Sequence, residues 1–542
     1  MSSGNGRRKT PLFPSEYRAS GLLLHVTSLP SRYGIGDLGP EAFAWIDRLH
    51  DAGQTWWQAL PLGPTGYGNS PYQPLSSFAG NALVISPQSL YEEGLVDPTD
   101  CQGRFAPGAV DYEAVIPFKE RLLQTAWSRF QRVRRGDLLR DYEEFRSVQA
   151  FWLDDYALFR ALKGKYGGAY YIEWPAELVE RRPNALAQTM RELRDEVDQV
   201  RFTQFLVSRQ GERLKEYAHS KGVKLIGDLP FFVSPDSSDV WANPAFFRLD
   251  EHRRPEFVAG VPPDYFSAQG QLWGNPVYNW DALRATGYQW CIDRFRALLS
   301  HVDLIRLDHF RAFAAAWHIP SETPTAQAGS WVPGPGAGLF QKVEAELGGL
   351  PFIAEDLGQI TPDVETLRDQ FQIPGTRVLQ FAFDGHEDNP YLPQNLDNNS
   401  VVYTGTHDNA TSREWFDELT SSRKETLCRR YFNQDNERDI KPGPALMGLA
   451  WSSRGALAIA PLQDLLNLGH EARMNVPGRA GGNWRWRCTD EMLRDRVFAG
   501  LRDLTANSKR LADGDIVAVG QGGGTTLGVA ADRPAALQGG AV

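Results

Sequence analysis

Four stretches of the sequence run apolar and then stop at acids, histidines or both. They read Leu225-Ile-Gly-Asp228-Leu-Pro, Leu304-Ile-Arg306-Leu-Asp308-His309-Phe, Phe352-Ile-Ala-Glu355-Asp356-Leu-Gly and Val402-Tyr-Thr-Gly-Thr-His407-Asp408-Asn409. Short apolar runs of this kind suit buried strands, so each one delivers a carboxylate to a strand end. Arg306 and Asp308 are two residues apart and share a strand face. A guanidinium that close favours an ionised carboxylate, which suits a nucleophile or an electrostatic stabiliser. Taken singly, each motif has an ordinary explanation: aspartate after a strand commonly caps the next helix, and Arg-x-Asp is commonly a structural ion pair. Four such motifs at one end of one barrel exceed what capping explains. Several carboxylates without metal-ligand spacing point to glycosyl transfer through paired acids. One acid attacks the anomeric carbon and a second, kept protonated, donates to the leaving oxygen. A third can stabilise the positively charged sugar ring. Aromatic rings supply flat apolar platforms for sugar faces. The chain has 16 Trp, 18 Tyr and 28 Phe, although core packing accounts for most tryptophans taken one at a time.

These acids need a scaffold, and the apolar runs suggest one. Eight runs of four to eight residues recur: Gly21–Val26, Thr55–Leu60, Val223–Asp228, Val302–Asp308, Phe352–Glu355, Val378–Phe383, Val401–Thr406 and Ala456–Ala460. Their near-continuous hydrophobicity suits parallel strands covered on both faces. Helical patterns alternate with them. Pro40 to Gly53 has a proline start and a glycine stop; Phe202–Ser220, Tyr288–Ser300 and a helix opened by Thr361-Pro362 follow the same logic. The expected fold class is therefore α/β, a (β/α)8 TIM barrel over 19–510 with long insertions after early strands. Residues 61–200 read as a mainly helical inserted subdomain, with helices such as Glu120–Val133 and Tyr142–Lys163. Residues 229–287, rich in proline and aromatics, read as an active-site loop insertion. Residues 1–18 and 511–542 read as flexible ends, the latter rich in Gly, Ala and Thr.

Composition sets the outer bounds. At 542 residues, 42% hydrophobic and 23% charged, the chain is neither mainly disordered, collagenous nor membrane-embedded. A net charge of −10 gives no general attraction for nucleic acid or an anionic membrane. Cys101, Cys291, Cys428 and Cys488 are scattered and form no CxxC, which argues against a zinc site or a disulfide framework. The basic run Arg7-Arg8-Lys9 is not followed by an apolar segment, so no signal peptide is read and the cytoplasm is the expected compartment.

With these motifs in view, the chain resembles the 4-α-glucanotransferases (amylomaltases) of glycoside hydrolase family 77, from about Gly21 to about Arg487. Beyond the four strand ends, the matching stretches are Gly21-Leu-Leu-Leu-His-Val-Thr-Ser-Leu-Pro, Leu60-Pro-Leu-Gly-Pro-Thr-Gly-Tyr67-Gly-Asn-Ser70-Pro-Tyr72-Gln, Gly260-Val-Pro-Pro-Asp264-Tyr265-Phe-Ser, Gln271-Leu-Trp273-Gly-Asn-Pro and Glu471-Ala-Arg-Met-Asn475-Val-Pro-Gly. The resemblance implies that Asp308 is the nucleophile, Glu355 the general acid and then base, and Asp408 the transition-state stabiliser. It implies that Arg306, Asp228, His309 and His407 contact the sugar at the cleavage point. Tyr72 and Asn475 would shape the donor side, with Asp384 binding hydroxyls further along. Trp273 and Gln271 would sit on a mobile loop on the acceptor side, Trp273 being the one tryptophan assigned to sugar contact. The loop around Tyr265–Trp273 would form part of a cover against water. Without the family, Asp384 and Asn475 read equally as turn residues.

The implied activity is retaining transfer of an α-1,4-glucan segment to the 4-hydroxyl of glucose or another glucan, with no cofactor and no metal. Partners are maltodextrin, starch or glycogen-derived glucans, with glucose as acceptor. An α-amylase-like hydrolase and a catalytically inactive glucan-binding protein are the competing readings. The sequence departs from the family pattern after Arg311, where two expected acids are Ala314 and His318; acceptor preference or rate is what that bears on.

Overall fold

The structure is a computed structural model and describes residues 11–133, 135–263, 268–433, 439–479 and 481–512. Among them lie twelve strands: β1 (Ala19–Leu23), β2 (Trp56–Gln58), β3 (Lys224–Leu229), β4 (Phe257–Val261), β5 (Gln271–Pro276), β6 (Leu304–Leu307), β7 (Ala315–Pro320), β8 (Ser330–Pro333), β9 (Phe352–Ala354), β10 (Gly375–Val378), β11 (Ser400–Tyr403) and β12 (Leu457–Pro461). Eight close a barrel in the order β1-β12-β11-β10-β9-β6-β3-β2, with every pairing parallel. This is the (β/α)8 barrel that the apolar runs imply. The barrel strands are buried almost throughout, because helices cover the outside and packed side chains fill the inside.

Seven of the runs coincide with barrel strands to within three residues at their ends. The sixth is displaced: β10 is Gly375–Val378, and Leu379–Phe381 turns into a 3-10 helix. The strand uses the polar Gly375-Thr-Arg stretch because buried Asp356 accepts from the Thr376 amide at 2.7 Å and from Arg377 Nη1 at 3.1–3.2 Å. Hydrophobicity therefore understates it.

The helices follow the expected starts and stops. Pro40–Asp51 buries Ala42, Trp45, Ile46 and Leu49 and ends before Gly53, whose φ of 70° is the left-handed turn that glycine accepts. Thr361 precedes the helix Pro362–Gln370 as expected, but its side chain makes no cap and accepts from Arg311 instead. Between β2 and β3 the insertion contains Tyr112–Val133, Gly136–Val148, Ala150–Lys165, Pro183–Glu192 and Arg194–Ser220. The stretch read as one helix over Tyr142–Lys163 is two, parted at Gln149. This insertion has its own small core, including Leu122, Trp127, Phe130, Tyr142, Phe202 and Phe205.

Two features differ from expectation. Residues 229–287 are more than a loop: β4 and β5 join β7 and β8 in a four-stranded antiparallel sheet of order β5-β4-β7-β8. Gly260 makes it possible, since a Cβ there would lie 2.1 Å from the Gln271 carbonyl of the neighbouring strand. Residues 11–18 are packed rather than loose. Phe13 is buried and stacks on Tyr17, whose hydroxyl accepts from Trp56 Nε1 at 2.8 Å. Arg18 donates to the carbonyls of Trp451, Ser453 and Ser508. At the other end Arg510 is fully buried and donates to five carbonyls, so the ordered body runs to the edge of the expected tail. Residues 1–10 and 513–542 lie outside the described residues, as do Asp264 and Tyr265.

Candidate active site

The parallel register builds the site. Asp228 of β3 and Arg306 of β6 are direct partners across the two strands. Arg306 Nη1 consequently lies 2.9 and 2.8 Å from the two Asp228 carboxylate oxygens. The same nitrogen is 3.0 Å from Asp308 Oδ1, just past the end of β6. Two residues of spacing thus bring both side chains to one face even though the strand stops between them. Burial raises the Asp228 carboxyl above the usual carboxylate range against the pull of Arg306, while Asp228 and Asp308 hold Arg306 firmly charged. Tyr72 reaches in from the insertion after β2. Its hydroxyl donates to Asp228 Oδ2 at 2.7 Å, and its ring stacks on His407 at 4.9 Å.

Glu355 follows β9. Its Oε2 accepts from the His309 amide at 2.7 Å and its Oε1 from the Leu357 amide at 3.2 Å. His309 has φ 50° and ψ 50°, and that left-handed turn is what aims its N–H at Glu355. Burial, reinforced by the charge on Asp308, pushes Glu355 up to about 8, while Arg306 and the His309 amide oppose it. Burial pushes the His309 imidazole down to about 4. Trp273 of β5 meets that imidazole edge to face at 4.8 Å and donates from Nε1 to Gln271 Oε1 at 3.1 Å.

Asp408 lies in the loop after β11. Asn475 Nδ2 donates to its Oδ1 at 2.6 Å, and His407 Nε2 is 3.3 Å from its Oδ2. Burial alone would raise this carboxyl. His407, Asn475 and Arg306 outweigh it and hold Asp408 well below the usual carboxylate range, although 48% of its side-chain surface stays open to the cleft. The segment bearing Asn475 is tied back by its own amide, which donates to the His407 carbonyl at 3.1 Å.

Asp308, Glu355 and Asp408 converge on one cleft of about 570 Å3, together with Tyr72, Gln271, Trp273, Arg306, His309 and Asn475. Asp228 and His407 sit behind that wall, each bonded to a residue in it. Asp384 is not brought there. It is exposed in a turn, accepts from the His386 amide at 2.9 Å, and precedes Gly385 at φ 101°. That favours its reading as a turn residue. Ala314 and His318 do not line the cleft either. His318 is buried in β7 opposite Ala259, with its imidazole pushed down to about 4 by burial.

Sequence reading missed several lining residues. Trp484, taken as plain packing, borders the cleft and leans on both Tyr72 and His407 at 5.8 and 5.9 Å. Phe232, Gln73, Asn275, Arg479 and Asn483 also line it. Gln73 and Asn275 lie inside motifs already noted but carry no charge or ring to single them out, and Phe232, Arg479 and Asn483 lie in irregular segments outside those motifs. Among the described residues no group of three or more His, Cys, Asp or Glu is arranged to hold a metal ion. No described helix is long and apolar enough to cross a membrane.

A parallel barrel whose strand ends gather carboxylates, an arginine and aromatic rings in one cleft is the layout of an enzyme that works on glycosidic bonds. Comparison with known proteins makes this specific. Residues 24–493 match the family model described as 4-alpha-glucanotransferase. The 4-alpha-glucanotransferase of Synechocystis is 48% identical over 90% of this chain and 97% of its own. That of Thermus thermophilus is 47% identical over 91% and 99%. Among solved structures, the amylomaltase of Streptococcus agalactiae in complex with acarbose superposes with a TM-score of 0.87 at 36% identity, covering 91% of this chain and all of that one. The chain therefore belongs to the 4-alpha-glucanotransferase family, and it is a transferase of that family.

Proposed function

We propose that the enzyme transfers α-1,4-glucan segments by double displacement in this cleft. The observation that carries the reading is the contrast between two acids. Glu355, buried and raised to about 8, holds a proton at neutral pH, whereas Asp308 lies on the Arg306 guanidinium. One is suited to give a proton and the other to attack.

In the first half-reaction, Asp308 attacks the anomeric carbon as Glu355 protonates the departing 4-oxygen. The reducing-end fragment leaves with that proton and the glycosyl group remains as an ester on Asp308. In the second, deprotonated Glu355 takes the proton from an acceptor 4-hydroxyl, the new oxygen–carbon bond forms, and Asp308 departs as carboxylate. Asp408, ionised and open to the cleft, faces the positive charge that builds on the ring in both transition states. Arg306 and Asp228 hold the nucleophile's end of the cleft, His309, Tyr72 and Asn475 border the same sugar, and His407 backs Tyr72 and Asp408 from behind the wall. Gln271 and Trp273 flank the acceptor. Donors of this class are maltodextrins and starch- or glycogen-derived glucans, with glucose as the smallest acceptor. The four cysteines are buried thiols outside any disulfide, which suits a reducing cytoplasm.

Incubation with maltotriose tests the reading. Glucose accompanied by longer maltodextrins is the expected outcome. Only shorter products would place the enzyme with hydrolases. Asp308→Asn is expected to abolish turnover while glucan binding persists; unchanged turnover would refute the mechanism.

A further inference from the structure

Asp464 follows β12 in the run Pro461-Leu-Gln-Asp, does not line the cleft, and is 1% exposed. Its carboxylate nevertheless makes three close bonds, all to the loop that carries Asp408. Thr404 Oγ1 donates to Oδ2 at 2.5 Å, Ser412 Oγ to Oδ2 at 2.6 Å and the Ser412 amide to Oδ1 at 2.8 Å. Thr404 and Ser412 are the two ends of the segment that holds Thr406, His407, Asp408 and Asn409. One buried carboxylate thus pins both ends of a nine-residue loop whose middle delivers Asp408 to the cleft. Among the described residues no cation partners it, and burial raises it above the usual carboxylate range, so the site bears a desolvation cost that a merely space-filling residue would avoid.

The preceding residue does the matching task on the other side. Gln463 Nε2 donates to the Ala472 carbonyl at 3.2 Å. That fixes the segment leading to Asn475, whose amide group is the 2.6 Å donor to Asp408. Arg473 Nη2 in the same segment donates to the Asp408 carbonyl at 3.2 Å. The Asp408 side chain is half-open to the cleft and its bonds among the described residues are to His407 and Asn475, so its placement depends on these two backbones keeping their spacing.

We infer that Asp464 is a positioning residue for the transfer reaction, acting through the Thr404–Ser412 loop to hold Asp408 where ring charge develops. This rests on the proposed role of Asp408. Such groups must be placed to a fraction of an ångström, and a shift of about 1 Å costs on the order of a hundredfold in rate.

The test compares Asp464→Ala, Asp464→Asn and Asp408→Asn in the full-length enzyme, well below each Tm. It reads kcat and KM for maltotriose, the inhibition constant of acarbose, and Tm. The proposal expects Asp464→Ala to lower kcat roughly ten- to hundredfold with KM within about twofold, and to weaken acarbose in step. It expects Asp464→Asn to restore kcat to within about threefold of wild type. The amide oxygen can accept from Ser412, and the amide nitrogen can donate to the hydroxyls. A folded Asp464→Ala variant with lowered Tm but unchanged kcat and acarbose affinity would overturn it, leaving a purely structural role. Should that variant not fold, Thr404→Val and Ser412→Ala each remove one hydroxyl donor; several-fold losses in kcat support the proposal, and unchanged kcat in both overturns it. Unchanged kcat in Asp408→Asn would instead overturn the role of Asp408 on which the inference rests.

Discussion

Glu355 offers the most direct test of how burial sets the chemistry. Its carboxyl sits at about 8, chiefly because it is desolvated, with Asp308 adding to the rise. In the proposed mechanism the acid form is the active one in the first half-reaction, so activity is expected to fall as pH rises through that value. For maltotriose as donor, kcat/KM should hold through neutrality and then drop about tenfold per pH unit, standing roughly tenfold below its plateau at pH 9. Asp408, held well below the usual carboxylate range, adds no limb near neutrality. α-Maltosyl fluoride separates proton donation from every other alkaline effect, because fluoride leaves without a proton. With that donor the alkaline limb should vanish when fluoride release is followed by electrode. Glu355→Gln should then cost about 10²–10⁴ in kcat/KM with maltotriose and under about tenfold in the rate of the first-turnover burst of fluoride, which precedes the step that needs Glu355 as base. An identical alkaline limb for both donors, or equal losses in the variant, would refute the assignment of Glu355 as the acid.

Three further outcomes follow from the same geometry. Because the folded value of Glu355 lies above the ordinary 4.5 of an unfolded glutamate, its stability cost begins as pH rises past 4.5 and is complete above about 8; Glu355→Gln should therefore raise Tm at pH 8.5 and do so progressively less toward pH 5, and a gain that is independent of pH would contradict this. Trp273→Ala removes a ring that lines the cleft on the proposed acceptor side; a sugar contact of about 0.5–1.5 kcal/mol on that ring predicts a roughly 2- to 12-fold rise in acceptor KM with glucose at saturating donor, and an unchanged KM would remove Trp273 from the acceptor site. Asp384→Ala should leave kcat and KM for maltodextrin donors within about twofold, since the side chain bonds its own turn and does not line the cleft; a large donor KM increase would return Asp384 to the sugar site.

Much of the site was legible because strand-end acids are local features: a short apolar run and its last polar residue are adjacent in sequence, and the barrel does the rest. Asp308, Glu355 and Asp408 needed only that each run be a parallel strand pointing the same way. What was hidden depends on pairing between distant segments. The β4–β5–β7–β8 sheet is assembled from two separate insertions, and its strands are short and interrupted by glycine and proline, so no periodicity reveals it. β10 was obscured for the opposite reason, being a barrel strand whose polar Thr376 and Arg377 are satisfied by Asp356 from the neighbouring strand end. Asp384 marks the limit of motif reading. The residue type suited a sugar hydroxyl, but the Gly385 turn directs the carboxylate to its own backbone.

For the proposed mechanism, the arrangement also offers a reason why one glutamate could serve as acid and then as base. Arg306 directs a single nitrogen, Nη1, at both oxygens of Asp228 and at Oδ1 of Asp308. Glu355 receives backbone N–H groups, and its burial, reinforced by Asp308, is what raises its carboxyl, whereas Asp308 lies directly on the guanidinium. Esterifying Asp308 removes the negative charge that helps raise Glu355, while the opposing field of Arg306 remains. The glutamate must then become more acidic at the moment its task changes from giving a proton to taking one. No movement of the barrel is needed for that switch. It follows from Asp228 and Arg306 being register partners on adjacent strands, which fixes the guanidinium in place while the charge on Asp308 comes and goes.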